Sequence, residues 1–203
     1  MIVADGIYYA LALGAGGVLV SWLTRPVFGA PLFVLALFCL YFFRNPEREI
    51  PPGPVAVSPA DGKVVEVKSH GPGTTRVSIF LNIFDVHVNR APIAGRIAGV
   101  RYRPGQFLVA SRAEASAANE QNEITIEGDG TTVTFNQIAG LIARRVILWK
   151  KAGDRVETGE RVGIIKFGSR ADVILGPEWA VEVTPGQRVR AGSSVLARRK
   201  QGG

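Results

Sequence analysis

Two stretches near the C-terminal end, GDRVETGERVGII (153–165) and GQRVRAGSSVLA (186–197), share the pattern Gly-x-x-Val-x-x-Gly. Two more, SPADGKVVEV (58–67) and APIAGRIAGV (91–100), share Pro-x-x-Gly ahead of a Val- or Ile-rich segment. Glycine at these points permits a tight turn, because it adopts backbone angles that a Cβ would forbid. The Val, Ile and Leu residues that follow suit a pleated, half-buried surface. Matches that come in pairs point to a chain built from repeated strand-and-turn units.

Working outward, VVEVK (64–68), TRVSIFL (75–81), EITIEG (123–128), TVTFNQI (132–138), RVILW (145–149) and VGIIKF (162–167) read as strands punctuated by Gly, Pro and Asp. Only 110–120, ASRAEASAANE, is alanine-rich and poor in β-branched residues, and reads as helix or loop. The fold class predicted is therefore mainly β. The paired glycine pattern resembles the lipoyl and biotinyl carrier folds and their relatives, which implies a β-sandwich or barrel-sandwich-hybrid domain with hammerhead turns.

The N-terminal part is different. Residues 7–23 and 26–43 are apolar runs separated by Thr24, Arg25 and Pro26. Each is close to the lower limit of about 17 residues for a membrane span. Together they predict an apolar helical hairpin that anchors the chain. A secretory signal would begin with a basic segment, whereas this one begins with Asp5. Trp22 and Tyr41 suit the membrane interface, and Arg44 and Arg48 just beyond the second run favour a main domain on the cytoplasmic side of the cell membrane. The linker RNPEREIPPGP (44–54) stops helical structure. The expected division is 1–50 for hairpin and linker and 51–203 for the β-rich domain. The net charge of +7 suits an anionic partner. With no basic stripe interleaved with aromatics, that partner is membrane lipid rather than nucleic acid. One cysteine, Cys39, and two histidines, His70 and His87, exclude a disulfide framework and make a Cys- or multi-His metal site an unsuitable reading.

Three segments hold residues capable of chemistry: SPADG (58–62), FLNIFDVHVNRAP (80–92) and IIKFGSRADVIL (164–175). They supply an acid, Asp61, a base, His87, and a hydroxyl, Ser169. An Asp–His–Ser arrangement of this kind lets the histidine take the serine proton while the acid orients or charge-stabilises the histidine. The same residues also read as a structural histidine and a turn between strands. Ser169 is not in the G-x-S-x-G elbow of the α/β-hydrolases. Lys166 and Arg170 flank Gly168-Ser169 and are substrate-binding candidates with Arg90, although outward-facing charges on a strand would look the same.

FRNPER (43–48) after an apolar hairpin, PADGKV (59–64), NIFDVHVNRAP (82–92) and FGSR (167–170) occur in the order seen in phosphatidylserine decarboxylases. The chain resembles the short form of that family along nearly its whole length. The resemblance implies a precursor that cuts itself between Gly168 and Ser169, giving fragments 1–168 and 169–203 that stay associated. His87, assisted by Asp61, would activate Ser169. Ser169 would become a covalent pyruvoyl group, the only cofactor, which forms a Schiff base with the amine of phosphatidylserine. Decarboxylation then gives phosphatidylethanolamine and CO2, with His87 the candidate proton donor. Long-form members carry H-x-x-H here and cleave at LGST; this chain has Arg90 at the second histidine position and FGSR at the junction. Exposed strand edges are compatible with a homodimer.

Two other classes stay open on the residues alone. One is a non-enzymatic membrane adaptor with a carrier-like β domain, which would leave the Gly168-Ser169 bond intact. The other is a serine hydrolase, which would use the triad without cutting the chain.

Overall fold

The structure is a computed structural model, and it describes residues 1–108, 115–140, 145–166 and 169–200. It divides into two compact units, Met1–Glu47 and Arg48–Gly203. The first holds helices α1 (Ala4–Leu23) and α2 (Pro26–Phe42). Pro26 begins α2, where its missing N–H costs nothing. Small residues bring the helices close: Gly17 faces the Phe33 ring and Gly29 faces Ser21, where a larger side chain would clash. By length and composition α1 is apolar enough to cross a membrane, and α2 is a shorter apolar helix. That composition is consistent with membrane association.

The second unit is mainly β. Its strands are β1 (Val55–Val57), β2 (Gly62–Gly71), β3 (Thr74–Leu81), β4 (Val88–Arg90), β5 (Gly95–Arg103), β6 (Gln121–Gly128) and β7 (Thr131–Ile138). They continue with β8 (Val146–Leu148), β9 (Arg155–Val156), β10 (Arg161–Ile165), β11 (Ser169–Leu175), β12 (Trp179–Val181), β13 (Arg188–Val189) and β14 (Val195–Arg199). All six strand segments expected from the sequence contain strands. Of the alanine-rich 110–120 segment, residues 110–114 lie outside the described residues, and Ala115–Ala118 form one turn of helix, α3.

A large sheet runs β13-β2-β3-β11-β7-β6-β5-β9, with smaller sheets β1-β14-β12 and β4-β10-β8. The orders reveal a pseudo-twofold axis between β11 and β7, exchanging β3 with β6, β2 with β5 and β13 with β9. The paired sequence patterns are its two copies. The spacing from Gly62 to Gly95 equals that from Gly153 to Gly186 and from Gly159 to Gly192. Their φ angles match pairwise: 152° and 157°, 97° and 97°, 76° and 78°. The hydrogen bonds match too. Val57 N donates to Pro92 O and Arg90 N to Pro59 O, both at 2.9 Å, while Gly186 N to Val64 O and Gly153 N to Ile97 O are both 2.8 Å.

The core lies on one face of the large sheet, with Val64, Val77, Ile79, Leu81, Ile97, Ile124, Ile126, Val133, Phe135, Ala171 and Val173 fully buried or nearly so. Both halves start a long strand at a glycine pressed onto a neighbouring carbonyl: a Cβ on Gly62 would meet Phe80 O, and one on Gly95 would meet Glu127 O. Gly53 has positive φ but open space around it. Gly62→Ala should therefore lower the thermal midpoint more than Gly53→Ala, which bears only the roughly 1–3 kcal/mol of backbone strain. Equal midpoints for the two variants would contradict this account of the turns.

Candidate functional site

β11 begins at Ser169 and lies between β3 and β7, with Ser169 opposite Leu81 at the end of β3. Alternation along the strand sends Ser169, Ala171, Val173 and Leu175 to the apolar core side and Arg170 and Asp172 to the other face. The Ser169 side chain is 0% exposed, and its Oγ has no hydrogen-bond partner. A buried hydroxyl left unpaired costs about 1–3 kcal/mol, so a fold that retains one calls for an explanation. Gly168, on the other side of the predicted scissile bond, lies outside the described residues.

His87 comes to the same end of the sheet along the β3–β4 loop, which leaves β3 beside Ser169. It is fully buried, and its carbonyl accepts the Ile165 N–H at 3.2 Å. Only residues 166–168 separate Ile165 from Ser169, so the chain can place them no more than roughly 14 Å apart. The loop is built by its own polar groups. Asn82 N donates to Asp85 Oδ2 at 2.9 Å, Phe84 N to Asn82 Oδ1 at 2.8 Å and Asp85 N to Asn82 O at 3.0 Å. His87 Nδ1 lies 3.0 Å from the Asp85 carbonyl oxygen. A carbonyl only accepts, so this bond puts the proton on Nδ1 and the lone pair on Nε2, the tautomer suited to a base.

Asp61 stands just ahead of Gly62, at the same sheet end, but it does not bond to His87. Its Oδ1 accepts the Ala191 N–H and its Oδ2 accepts Arg48 Nη2, each at 2.8 Å. The expected Asp–His hydrogen bond is replaced by the Asp85 carbonyl, since both Asp61 oxygens are already engaged. Burial pushes the Asp61 carboxyl above the ordinary aspartate range. The Ala191 N–H and Arg48 oppose that rise, and the charge of Asp85 adds to it. Asp85, Asn82 and the Arg188 that pairs with Asp85 at 3.0 Å were not assigned to the site from sequence, and Arg48 was read there only as a charge flanking the apolar run. The Asn-x-x-Asp turn and Asp-x-His spacing were visible signals for the first two. Arg48 and Arg188 arrive from distant segments with no local signature.

The three basic candidates are all buried. Arg170 is 1% exposed, with Nε on Asp172 Oδ1 at 2.7 Å and Nη2 3.3 Å from Glu66 Oε2. Arg76 also bonds Glu66 at 2.6 Å, and Ser116 Oγ donates to Asp172 at 2.6 Å. Burial pushes the Glu66 carboxyl up, but its bonds to Lys68 and Arg76 outweigh this and hold it below the ordinary range. Arg90 Nη1 donates to Gly159 O at 2.8 Å, and Lys166 is buried near the end of β10. Among the described residues no group of His, Cys, Asp and Glu could hold a metal ion.

The pseudo-twofold axis supplies an internal comparison. β6, the counterpart of β3, ends at Gly128 opposite Thr131, so Thr131 occupies the place of Ser169. Each follows a glycine, Gly130 and Gly168. The counterparts of Asp61 and His87 are Ala94 and Pro54. The Thr131 hydroxyl is fully engaged, accepting from Trp179 Nε1 at 2.9 Å and donating to Glu178. One half thus carries an acid, a base and an unpaired hydroxyl, and the other carries none of the three.

The sequence model of the family described as phosphatidylserine decarboxylase matches residues 35–197. A protein of Solibacter usitatus (strain Ellin6076), named phosphatidylserine decarboxylase proenzyme, is 68% identical over 198 residues, covering 98% of this chain and 97% of its own. A protein of Syntrophus aciditrophicus (strain SB) with the same name is 42% identical over 204 residues, covering 96% of each.

Arg170 and Asp172 form a buried pair at 2.7 Å, so removing Asp172 takes away the shorter of the two carboxylate contacts to a guanidinium that is 1% exposed. Asp172→Ala should cost about 3–5 kcal/mol, read as a fall in denaturant or thermal midpoint. An unchanged midpoint would show that the network is not structural.

Proposed function

The chain belongs to the phosphatidylserine decarboxylase family, and from that premise we propose that it breaks its own Gly168–Ser169 bond and uses the pyruvoyl group so formed to convert phosphatidylserine to phosphatidylethanolamine and CO2. It is a decarboxylase by family, and both relatives are named as proenzymes. The observation that carries the finer reading is the Ser169 hydroxyl: sealed from water, unpaired, preceded in sequence by glycine, and at the sheet end where the His87 loop departs.

In this reading His87 accepts the Ser169 hydroxyl proton and the oxygen attacks the Gly168 carbonyl carbon. The C–N bond breaks as the acyl group passes to oxygen, giving an ester. Removal of the Ser169 Cα proton with cleavage of the Cβ–Oγ bond frees the Gly168 carboxylate and leaves dehydroalanine. Water converts that to the pyruvoyl group with loss of ammonia. Asp61 acts on this chemistry through charge, alongside Asp85, rather than by holding the imidazole. The buried seat of Ser169 fits the product, since an electrophilic ketone is preserved where water is excluded. Once formed, the pyruvoyl group supplies a carbonyl that condenses with the substrate amine and draws electrons from the bond to the departing CO2. The chain's own task is then to seat the headgroup, exclude water and return a proton, for which His87 is the candidate. Lys166 and Arg90, near the same end, are the remaining headgroup candidates. Arg170 serves the scaffold, fixing the residue next to Ser169 through Asp172 and Glu66.

The pairing of β11 supports continued association of fragments 1–168 and 169–203. Its register runs from Ser169↔Leu81 to Leu175↔Thr75 on one side, and β14 lies between β1 and β12. The apolar helices and the arginines that follow them support membrane attachment with the β domain on the cytoplasmic side.

Denaturing intact-mass spectrometry tests the proposal. Wild-type protein should give fragments 1–168 and 169–203, the smaller carrying the pyruvoyl mass, with no break at Gly130–Thr131. Ser169→Ala should stay whole and inactive, and His87→Ala should mature at least about a hundredfold more slowly, the usual worth of a general base. A wild-type chain that stays whole in anionic lipid would overturn the reading in favour of an adaptor or an uncut hydrolase. Maturation should also slow in acid. Asp61 takes its proton above the ordinary aspartate range, so Asp61→Asn should change the shape of the acid limb, and an identical limb in the variant would remove Asp61 from it.

A further inference from the structure

The loop that delivers His87 also carries two apolar side chains outward. Ile83 is 39% exposed and Phe84 is 62% exposed, while His87, on the same loop, is fully buried. Their display is imposed by the loop's construction. Asn82 caps the Phe84 N–H, Asp85 caps the Asn82 N–H, and the Arg188–Asp85 ion pair ties the turn to β13. A turn that leaves an aromatic ring this exposed incurs the hydration of that surface. Cations surround it. Lys63 is exposed and is the register partner of both Arg188 and Phe80, and Arg190 is exposed two positions on, where the chain passes Asp61.

We propose that this Ile83–Phe84 tip, with its collar of Lys63, Arg188 and Arg190, is a bilayer-docking surface of the β domain that inserts among anionic lipids at the mouth of the Ser169–His87 site. It is a second membrane contact, separate from the apolar helices, and it rests on the proposed use of a membrane lipid as substrate. An aromatic and an aliphatic side chain side by side match the headgroup–acyl boundary. The collar adds attraction to the negative surface of an anionic leaflet. The charge sign and the apolar tip together specify lipid rather than an acidic protein, which would be met by charge alone. Docking here would hold the catalytic end of the sheet against the plane from which a serine headgroup projects.

The test uses the full-length chain in vesicles of phosphatidylcholine with phosphatidylserine. Phe84→Asp should mature as wild type and turn over a short-chain, monomerically dissolved phosphatidylserine within about twofold of wild type. Its KM for vesicle phosphatidylserine, expressed as surface mole fraction, should rise about tenfold on loss of the inserted ring. Equal losses on both substrates would assign the loop to the catalytic site and overturn the proposal, as would an unchanged vesicle KM. A changed oligomeric mass would assign the patch to a second copy of the chain and overturn it as well. Phe84→Trp gives an independent reading that needs no turnover: the added fluorescence should be quenched by lipids brominated near the headgroup. Unquenched fluorescence would overturn docking even in an active enzyme. A wild-type chain that releases CO2 from neither substrate would sink the decarboxylase reading while leaving the quenching result to decide the surface.

Discussion

The antiparallel pairing of β11 on both edges, to β3 and to β7, is the constraint on which the site depends. A residue at the start of a central strand has its backbone direction fixed by two neighbours. Ser169 pairs with Leu81 of β3, and the next residue, Arg170, is paired on both sides, so the hydroxyl is aimed into the protein by the pleat and not by any bond of its own. The following residue is held as firmly on the opposite face. Arg170 is buried against Asp172, and the two charges are tolerable there because they meet each other and the flanking Glu66 and Ser116. The two faces of one strand thus differ: ionic anchoring on one side, an unpaired hydroxyl on the other. A strand held this way also survives a break at its own N-terminus, because its ladder bonds do not run through the broken peptide.

The pseudo-twofold frame sharpens what is specific to the site. Both halves contain a glycine followed by a hydroxyl residue at the start of a central strand, with the same register to the neighbouring hairpin. Geometry shared by both halves cannot by itself account for chemistry in one. The difference lies in three side chains: Asp61, His87 and an unsatisfied Ser169 on one side, Ala94, Pro54 and a doubly bonded Thr131 on the other. Trp179 and Glu178 fill the second half's polar demand completely. A hydroxyl already donating and accepting is a poor nucleophile and a stable structural element. The half proposed to react is the one whose hydroxyl is left unsatisfied.

Much of the fold was legible because its determinants are local. Gly-x-x-Val-x-x-Gly encodes a turn whose glycines need positive φ, and alternating β-branched residues encode the strands that follow. The equal spacing of the repeats even carried the symmetry. His87 and Ser169 stood out by residue type, as a scarce base and a hydroxyl after glycine, but their proposed roles came from the family resemblance. What was not legible depends on which distant groups reach a side chain. Asp61 looked like a partner for His87, yet Arg48 and Ala191 claim its oxygens first. Arg170 looked like a surface charge because alternation places it opposite the core. The sequence does not announce that Asp172, Glu66 and Ser116 bury that second face.

The position of His87 follows from the same competition for hydrogen bonds. The Asp85 carboxylate is committed to Asn82 and Arg188, so only its carbonyl remains for the imidazole. A carbonyl fixes the tautomer and the orientation of the ring without placing a full negative charge in hydrogen-bond contact with it. Asp61 bonds elsewhere, and its own ionisation is discouraged by burial and by Asp85. Protonating Asp61 would weaken its bond to Arg48, which belongs to the segment leading into the β domain. Asp61 therefore links its own protonation to the hold on that segment, while His87 is held by its loop and by Ile165 of β10. Placing the two functions on separate supports lets each be tuned without disturbing the strand that carries Ser169.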